Sequence, residues 1–102
     1  MSGRPFVFEV APERLGIARL SADDAIPPWA DGPGFVTITR TRRELSIVCP
    51  ETRIPSGAKA ERGWRALGIE GVIDFATVGV VAGIAAPLAA DGISIFVVST
   101  YD

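Results

Sequence analysis

The chain has 102 residues, of which 48% are hydrophobic and 22% charged, and this is the size and composition of a small globular protein. A net charge of −2 gives no support to binding of nucleic acid or of an anionic membrane surface. There is no histidine and a single cysteine, Cys49, so an internal disulfide is excluded and a zinc site or a histidine base is not expected.

The sequence also bears on the subcellular location of the protein. Met1–Arg4 lacks the charged and then apolar layout of a signal peptide. The longest apolar stretch, Val78–Ala90, is shorter than the roughly 20 residues that cross a bilayer. With one free thiol, these features predict a soluble cytoplasmic protein.

The first 34 residues are predicted to hold two short strands and a loop. Phe6–Val10 is apolar and aromatic, Leu15–Leu20 alternates weakly, and Pro12 and Gly16 punctuate the pair. Because Asp23–Trp29 contains two prolines, we expect a helical turn at most, followed by a loop through Asp31–Gly34.

A β-hairpin follows. Phe35–Thr41 alternates apolar and polar residues, and Glu44–Cys49 does so again with Leu45, Ile47 and Cys49 on one face. The few residues between the two runs leave no room for a crossover, so the strands are predicted to be antiparallel neighbours.

Pro50–Gly63 is predicted to be a loop that divides the chain into two halves, residues 1–50 and 51–102, of one compact unit. Trp64–Asp74 is predicted to be a strand that bends or bulges at a glycine. Thr77–Ala90 has helical spacing, with Asp74 or Thr77 as its cap and Gly92 as its stop. Ile93–Val98 has the pattern of a buried strand.

A strand, a helix and a strand of this length usually form a unit of parallel neighbours with a right-handed crossover. We therefore predict an α+β sandwich with a mixed, mainly antiparallel sheet and helices on one face.

Two segments of the second half are candidates for a binding site. The turn into the helix, Asp74–Gly79, offers free backbone N–H groups for a carboxylate or phosphate. Ser99, Thr100 and Asp102 follow the last strand, and in a parallel pair they lie at the same sheet edge as that turn. Asp102 can then hold an ammonium or guanidinium group. Ordinary turn chemistry also explains both segments.

The remaining reactive or charged residues favour structural roles. Without a histidine to activate it, Cys49 is better interpreted as a small buried hydrophobe than as a nucleophile. Arg40, Arg42 and Arg43 are interpreted as a solvated hairpin end. Trp29 and Trp64 are interpreted as anchors of a core or an interface.

From about Trp29 to Asp102 the sequence resembles the CASTOR-type ACT domain proteins. The resemblance lies in the hairpin runs Phe35–Thr41 and Glu44–Pro50, in Gly63–Leu67 with Glu70–Phe75, and in Gly92–Asp102. It implies a ferredoxin-like α+β fold of two ACT-like halves and a regulatory or sensor role. Because no acid–base or nucleophile pair is visible in the sequence, neither an enzyme nor a cofactor is expected. ACT domains typically bind amino acids at interfaces between domains or subunits, so an amino acid ligand and a homodimer are expected.

The family's ligand region corresponds to residues in both candidate segments, namely Asp74, Phe75, Ala76, Thr77, Val78, Gly79, Ser99, Thr100 and Asp102. The family normally continues with further elements after the Ser-Thr-Tyr-Asp run, so the second half is expected to lack its C-terminal elements. Either a second chain then completes the sheet beside a strand such as Ile93–Val98, or the sequence is a shortened version of a longer protein. A structural or assembly protein of the same fold without a ligand is the alternative.

Overall fold

The computed structural model describes residues 8–69 and 79–101. The described elements are four strands, two 3-10 turns and one α-helix. Contacts divide the chain into two compact units, Met1–Glu70 and Gly71–Asp102. The four strands lie in the first unit and the helix lies in the second.

The first unit is built on an antiparallel sheet in which every described pair of neighbours runs in opposite directions. In chain order the strands are β1 (Phe8–Leu20), β2 (Thr37–Arg40), β3 (Leu45–Pro50) and β4 (Ala60–Ile69), and in the sheet the order is β2-β3-β1-β4. The predicted hairpin is confirmed, because β2 pairs with β3 with Ile38 opposite Ile47. The predicted helical turn is also confirmed, as the 3-10 turn Pro28–Ala30.

The prediction of two separate strands before residue 21 is wrong, because β1 is one strand of 13 residues that includes Pro12. Between Val10 and Arg14, β1 advances four positions while β4 advances two, from Leu67 to Arg65. Such a bulge accommodates a proline, which has no N–H to give to a ladder. The strand therefore continues past Pro12.

Further along the pairing of β1 with β4, a second bulge places the extra residue in β4 instead of β1. From Leu15 to Ile17 β1 advances two positions, while β4 advances three, from Trp64 to Glu61. The extra residue lies next to Gly63, whose φ of +82° is in the left-handed region. The sequence predicts the bulge at Gly68 or Gly71 instead, but Gly68 lies opposite Glu9 without a shift of register and Gly71 lies outside the described residues. Since β4 begins at Ala60, the predicted loop is also wrong over residues 60–63.

The core of the first unit lies around β3. Leu45, Ile47 and Cys49 are fully buried on one face, as their alternation predicts. The other buried members of this cluster are Ala18, Ala30 and Ile54, and Trp29 packs against it from the 3-10 turn. Cys49 and Trp29 therefore have the structural roles predicted for them.

The second unit contains α1 (Val80–Ala90). Gly92 has a φ of +72°, its N–H donates to the Ala89 carbonyl at 3.0 Å, and the Ile93 N–H donates to the Leu88 carbonyl at 2.9 Å. These two bonds form a Schellman motif, so the predicted stop at Gly92 is confirmed. The predicted start at Thr77 and its two candidate caps lie outside the described residues.

The prediction that Ile93–Val98 is a buried strand is wrong. No strand pairing is formed by these residues within the described part of the chain. Ile93, Phe96 and Val97 are about half exposed, at 51%, 50% and 53%. An apolar run makes a strand only when another strand supplies the ladder, and none of the described residues does so here.

The fold class is α+β, with a four-stranded antiparallel sheet and one described helix, as in a ferredoxin-like ACT fold. The expected parallel pair is not found among residues 8–69 and 79–101, so the described sheet is antiparallel rather than mixed. The division predicted after residue 50 remains a prediction.

Candidate functional site

The two candidate ligand segments both belong to the second compact unit. Of the nine predicted site residues, Gly79, Ser99 and Thr100 fall within the described part of the chain. The other six lie outside the described residues: Asp74, Phe75, Ala76, Thr77, Val78 and Asp102. The predicted site therefore remains a prediction, supported by the geometry of its described part.

The start of α1 is shaped by Gly79, which is the N-cap residue and has a φ of +78°. Glycine has no side chain that could cap the helix, and the first turn carries no acidic residue. The backbone N–H groups of Val80, Val81 and Ala82 have no acceptor within the helix, as in the first turn of any α-helix. Together with the helix dipole they favour a negatively charged group at this end.

The second segment places two hydroxyl side chains at the surface. Ser99 and Thr100 are exposed, and they directly follow the apolar run Ile93–Val98. Hydroxyl groups both donate and accept hydrogen bonds, so this pair can bind donor groups or acceptor groups of a polar ligand.

Comparison with known families gives the chain its context. Residues 59–102 match the family model of the ACT domain, which covers both candidate segments. Residues 13–57 match a second family model, which describes an N-terminal domain. No protein with a curated description matches the chain.

A solved structure extends the similarity to almost the whole chain. It is the X-ray crystal structure of a protein from Agrobacterium tumefaciens, with 47% sequence identity and a TM-score of 0.89. The similarity covers 98% of this chain and 75% of that chain. The chain contains an ACT domain. The name of the bacterial relative states neither a family nor a function, so that similarity supports the fold, and the ACT assignment rests on residues 59–102.

This ACT domain protein has no described feature of a metal centre. Among residues 8–69 and 79–101, no three acidic or cysteine side chains lie together in a way that could hold a metal ion. None of the described helices is long and apolar enough to cross a membrane.

Cys49 is unsuited to act as a nucleophile in its present environment. Its side chain is fully buried, and burial raises the pKa of the thiol, with the nearby Arg53 guanidinium opposing the rise. A thiol with a raised pKa holds its proton at neutral pH, and the proton-free thiolate is the reactive form. The environment of Cys49 therefore agrees with a structural role.

Three arginines of the ACT domain protein hold or face loops, which the sequence analysis did not predict. Arg40 belongs to the predicted solvated hairpin end, yet its guanidinium donates to the carbonyls of Ala22 and Asp24. Arg62 donates to three carbonyls, those of Glu51, Ile54 and Pro55, at 3.0 to 3.3 Å. Arg53 faces Gly32. These contacts join residues 7 to 21 positions apart, so no local sequence pattern indicates them.

Proposed function

We propose that this ACT domain protein is a regulatory module of the CASTOR type that binds a free amino acid at the start of α1. The observation that carries the proposal is the helix start at Gly79, an N-cap residue without a capping side chain, which lies inside the region that matches the ACT domain family. An amino acid supplies the carboxylate that such a helix start favours.

Five of the nine candidate residues have a role in this proposal. The N–H groups at the start of α1 bind the ligand carboxylate, and Gly79 has no side chain to obstruct its approach. Asp102 supplies a carboxylate for the ligand's ammonium or guanidinium group. Thr77, Ser99 and Thr100 supply hydroxyl groups that orient the ligand. No residue is assigned to acid–base or covalent chemistry, so the role is regulatory rather than enzymatic.

A thermal-shift screen of the twenty amino acids at millimolar concentration tests this function. A ligand that binds only the folded state raises the melting temperature by mass action. We expect a selective rise for one ligand that is lost in Thr77→Val and Asp102→Ala. The matched controls are Thr39→Val and Asp23→Ala, which replace exposed residues of the first unit and should keep the rise. A flat response to all twenty amino acids would overturn the proposal.

A second candidate function, assembly with another copy of the chain, is favoured by the exposed apolar side chains of the second unit. Ile95 is 41% exposed and Val81 is 55% exposed, in addition to the three side chains of Ile93–Val98 that are half exposed. Exposed apolar runs of this kind mark interaction sites and seek partner strands. We propose a cytoplasmic homodimer formed through Ile93–Val98.

Sedimentation across a hundredfold range of protein concentration tests the assembly role. Phe96→Asp should shift the chain toward the monomer, and Phe8→Asp is the matched control because Phe8 is 44% exposed in the first unit. A purely structural dimer becomes more heat-stable as the protein concentration rises and does not respond to amino acids. A chain that stays monomeric at all concentrations contradicts this second function.

A further inference from the structure

An unpaired guanidinium nitrogen lies buried in the first unit. The Nη1 atom of Arg53 is buried and has no hydrogen-bond partner, alone among the buried side-chain nitrogen and oxygen atoms of residues 8–69 and 79–101. A charged donor that has lost water without gaining an acceptor is costly, so such a group calls for a physical reason. Among the described residues the one ion pair joins Arg19 and Glu44. No carboxylate of these residues therefore pairs with Arg53.

A glycine-rich segment covers this guanidinium, and we name residues Asp31–Phe35 the strap. A Cβ atom built on Gly32 would lie 2.6 Å from Nη1 and 3.0 Å from Cζ of Arg53, so the guanidinium packs directly against the Gly32 backbone. Gly32 and Gly34 have φ values of 152° and 92°, which other residues rarely adopt. The strap residues from Asp31 to Gly34 are exposed to solvent.

The strap is held by few hydrogen bonds, although the Gly34 backbone also packs closely against Glu13 and Pro50. Its backbone makes one hydrogen bond to a side chain outside the strap within the described part of the chain, from the Phe35 N–H to Oε1 of Glu13 at 3.3 Å. The other side-chain bond is local, from the Gly32 N–H to the Asp31 carboxylate at 2.9 Å. A segment with one long hydrogen bond to its surroundings opens at small cost compared with the sheet beneath it.

The backbone around Arg53, in contrast, is held by another residue. Arg62 binds the carbonyls of Glu51, Ile54 and Pro55, on both sides of Arg53. The Arg53 side chain is therefore not needed to fix this turn. A planar guanidinium on a fixed backbone beneath a loosely held strap is well suited to bind the two oxygens of a carboxylate or phosphate.

We propose that Arg53 is an oxyanion-binding residue and that it takes a carboxylate or phosphate group when the strap lifts. This site lies in the first compact unit and does not depend on the amino acid site proposed at α1. The bound oxyanion supplies the acceptor that Nη1 lacks in the closed strap. Glu13 holds the strap closed, so the apparent affinity for the anion reflects the fraction of chains whose strap is open.

The test uses the full chain with sodium phosphate and sodium acetate as probes, against sodium chloride at equal ionic strength. The readouts are the melting temperature and the NMR amide signals of Gly32 and Gly34. We expect a saturable rise in melting temperature and a saturable shift of both signals with at least one probe. A response to phosphate alone assigns a phosphate site, and a response to acetate assigns a carboxylate site.

Four variants separate binding from general salt effects. Arg53→Met should abolish both responses, and Arg42→Met is the matched control because Arg42 is an exposed arginine of the hairpin end. Arg53→Lys keeps the charge without the planar fork and should weaken binding about tenfold. Glu13→Ala removes the acceptor of the Phe35 N–H and should tighten apparent binding about threefold to tenfold.

Two outcomes would overturn the proposal. One is the absence of a saturable response to both probes, and the other is an equal response in Arg53→Met. If Arg53→Met does not fold, an unchanged affinity in Arg53→Lys together with an unchanged affinity in Glu13→Ala is the overturning result. Thr77→Val should leave this response intact, which distinguishes the Arg53 site from the amino acid site.

Discussion

The backbone N–H of Gly63 donates a hydrogen bond of 2.9 Å to the side chain of Glu51. This contact ties the bulge of β4 to the 3-10 turn Glu51–Arg53, and Arg62, the neighbour of Gly63, donates to the Glu51 carbonyl at 3.0 Å. The bulge, the turn and the base of the Arg53 side chain therefore form one hydrogen-bonded corner of the first unit.

Replacement of Gly63 by alanine should destabilise this corner. The residue has a φ of +82°, and a Cβ there would meet no other atom within 4 Å, so the cost is backbone strain alone. The free energy of unfolding should fall by about 1–2 kcal/mol in urea denaturation. Gly57→Ala is the control, because Gly57 also has open space around it but lacks a positive φ. Equal effects of the two replacements would contradict this reason.

Loss of the Glu51 side chain should weaken the same corner through a hydrogen bond. Glu51→Ala removes the acceptor of the Gly63 N–H and should cost about 1 kcal/mol of unfolding free energy. Glu51→Gln keeps an amide oxygen in the same place and should cost less than half as much. If alanine and glutamine are equally destabilising, the effect belongs to the charge and not to this hydrogen bond.

The close approach of Gly16 to Ile54 predicts that replacements of these two residues have strongly coupled effects on stability. A Cβ on Gly16 would lie 2.5 Å from Cδ1 of Ile54, so Gly16→Ala should destabilise the fold by about 1–3 kcal/mol through overpacking. Ile54→Val removes that methyl group and should cost about 0.5–1.5 kcal/mol alone. The double variant should lose less unfolding free energy than the sum of the losses in the two single variants. A double-mutant cycle measures this difference. Simple additivity would show that the two side chains do not meet.

Burial of Cys49 predicts both slow alkylation and a pH dependence. Since burial raises the pKa of its thiol, the native chain should react with iodoacetamide at least about tenfold more slowly than the urea-unfolded chain. The folded state keeps the proton more tightly than the unfolded state, so this thiol's contribution to stability is present below the pKa of the unfolded thiol and is lost as the pH rises through the folded pKa.

The measurement is the unfolding free energy between about pH 7 and pH 10, compared with that of Cys49→Ala. The wild type should lose more stability than the alanine variant over this range. Parallel curves for the two chains, or rapid alkylation of the native protein, would show that the thiol is not buried in solution.

The hairpin and the core around β3 could be predicted because alternation in the sequence puts Leu45, Ile47 and Cys49 on one face, and that face is buried. The continuity of β1 could not be predicted, because Pro12 fits a strand only through a bulge. The strand opposite that bulge, β4, lies more than 50 residues away in the sequence. The strand predicted at Ile93–Val98 failed because apolar patterning does not specify a pairing partner. The strap over Arg53 joins residues about 20 positions apart, and no periodicity indicates such a contact.

The candidate ligand site was predicted from helix-start chemistry and from the family resemblance, and the described part of the chain supplies Gly79, Ser99 and Thr100. The left-handed conformation of Gly79 explains the glycine at that position, because a residue with a Cβ would be strained there. The choice of ligand depends on side-chain positions that a sequence pattern does not fix.

Isothermal titration of the amino acid selected by the thermal screen, into the wild type and into Thr77→Val and Thr39→Val, tests the ligand-binding role most directly. We expect saturable binding to the wild type and to Thr39→Val, with a stoichiometry of one ligand per chain. Thr77→Val should bind at least about tenfold more weakly, the loss expected when a hydroxyl partner of a charged ligand group is removed. Absence of measurable heat with every amino acid, or equal affinity in all three chains, would contradict an amino acid site at the start of α1.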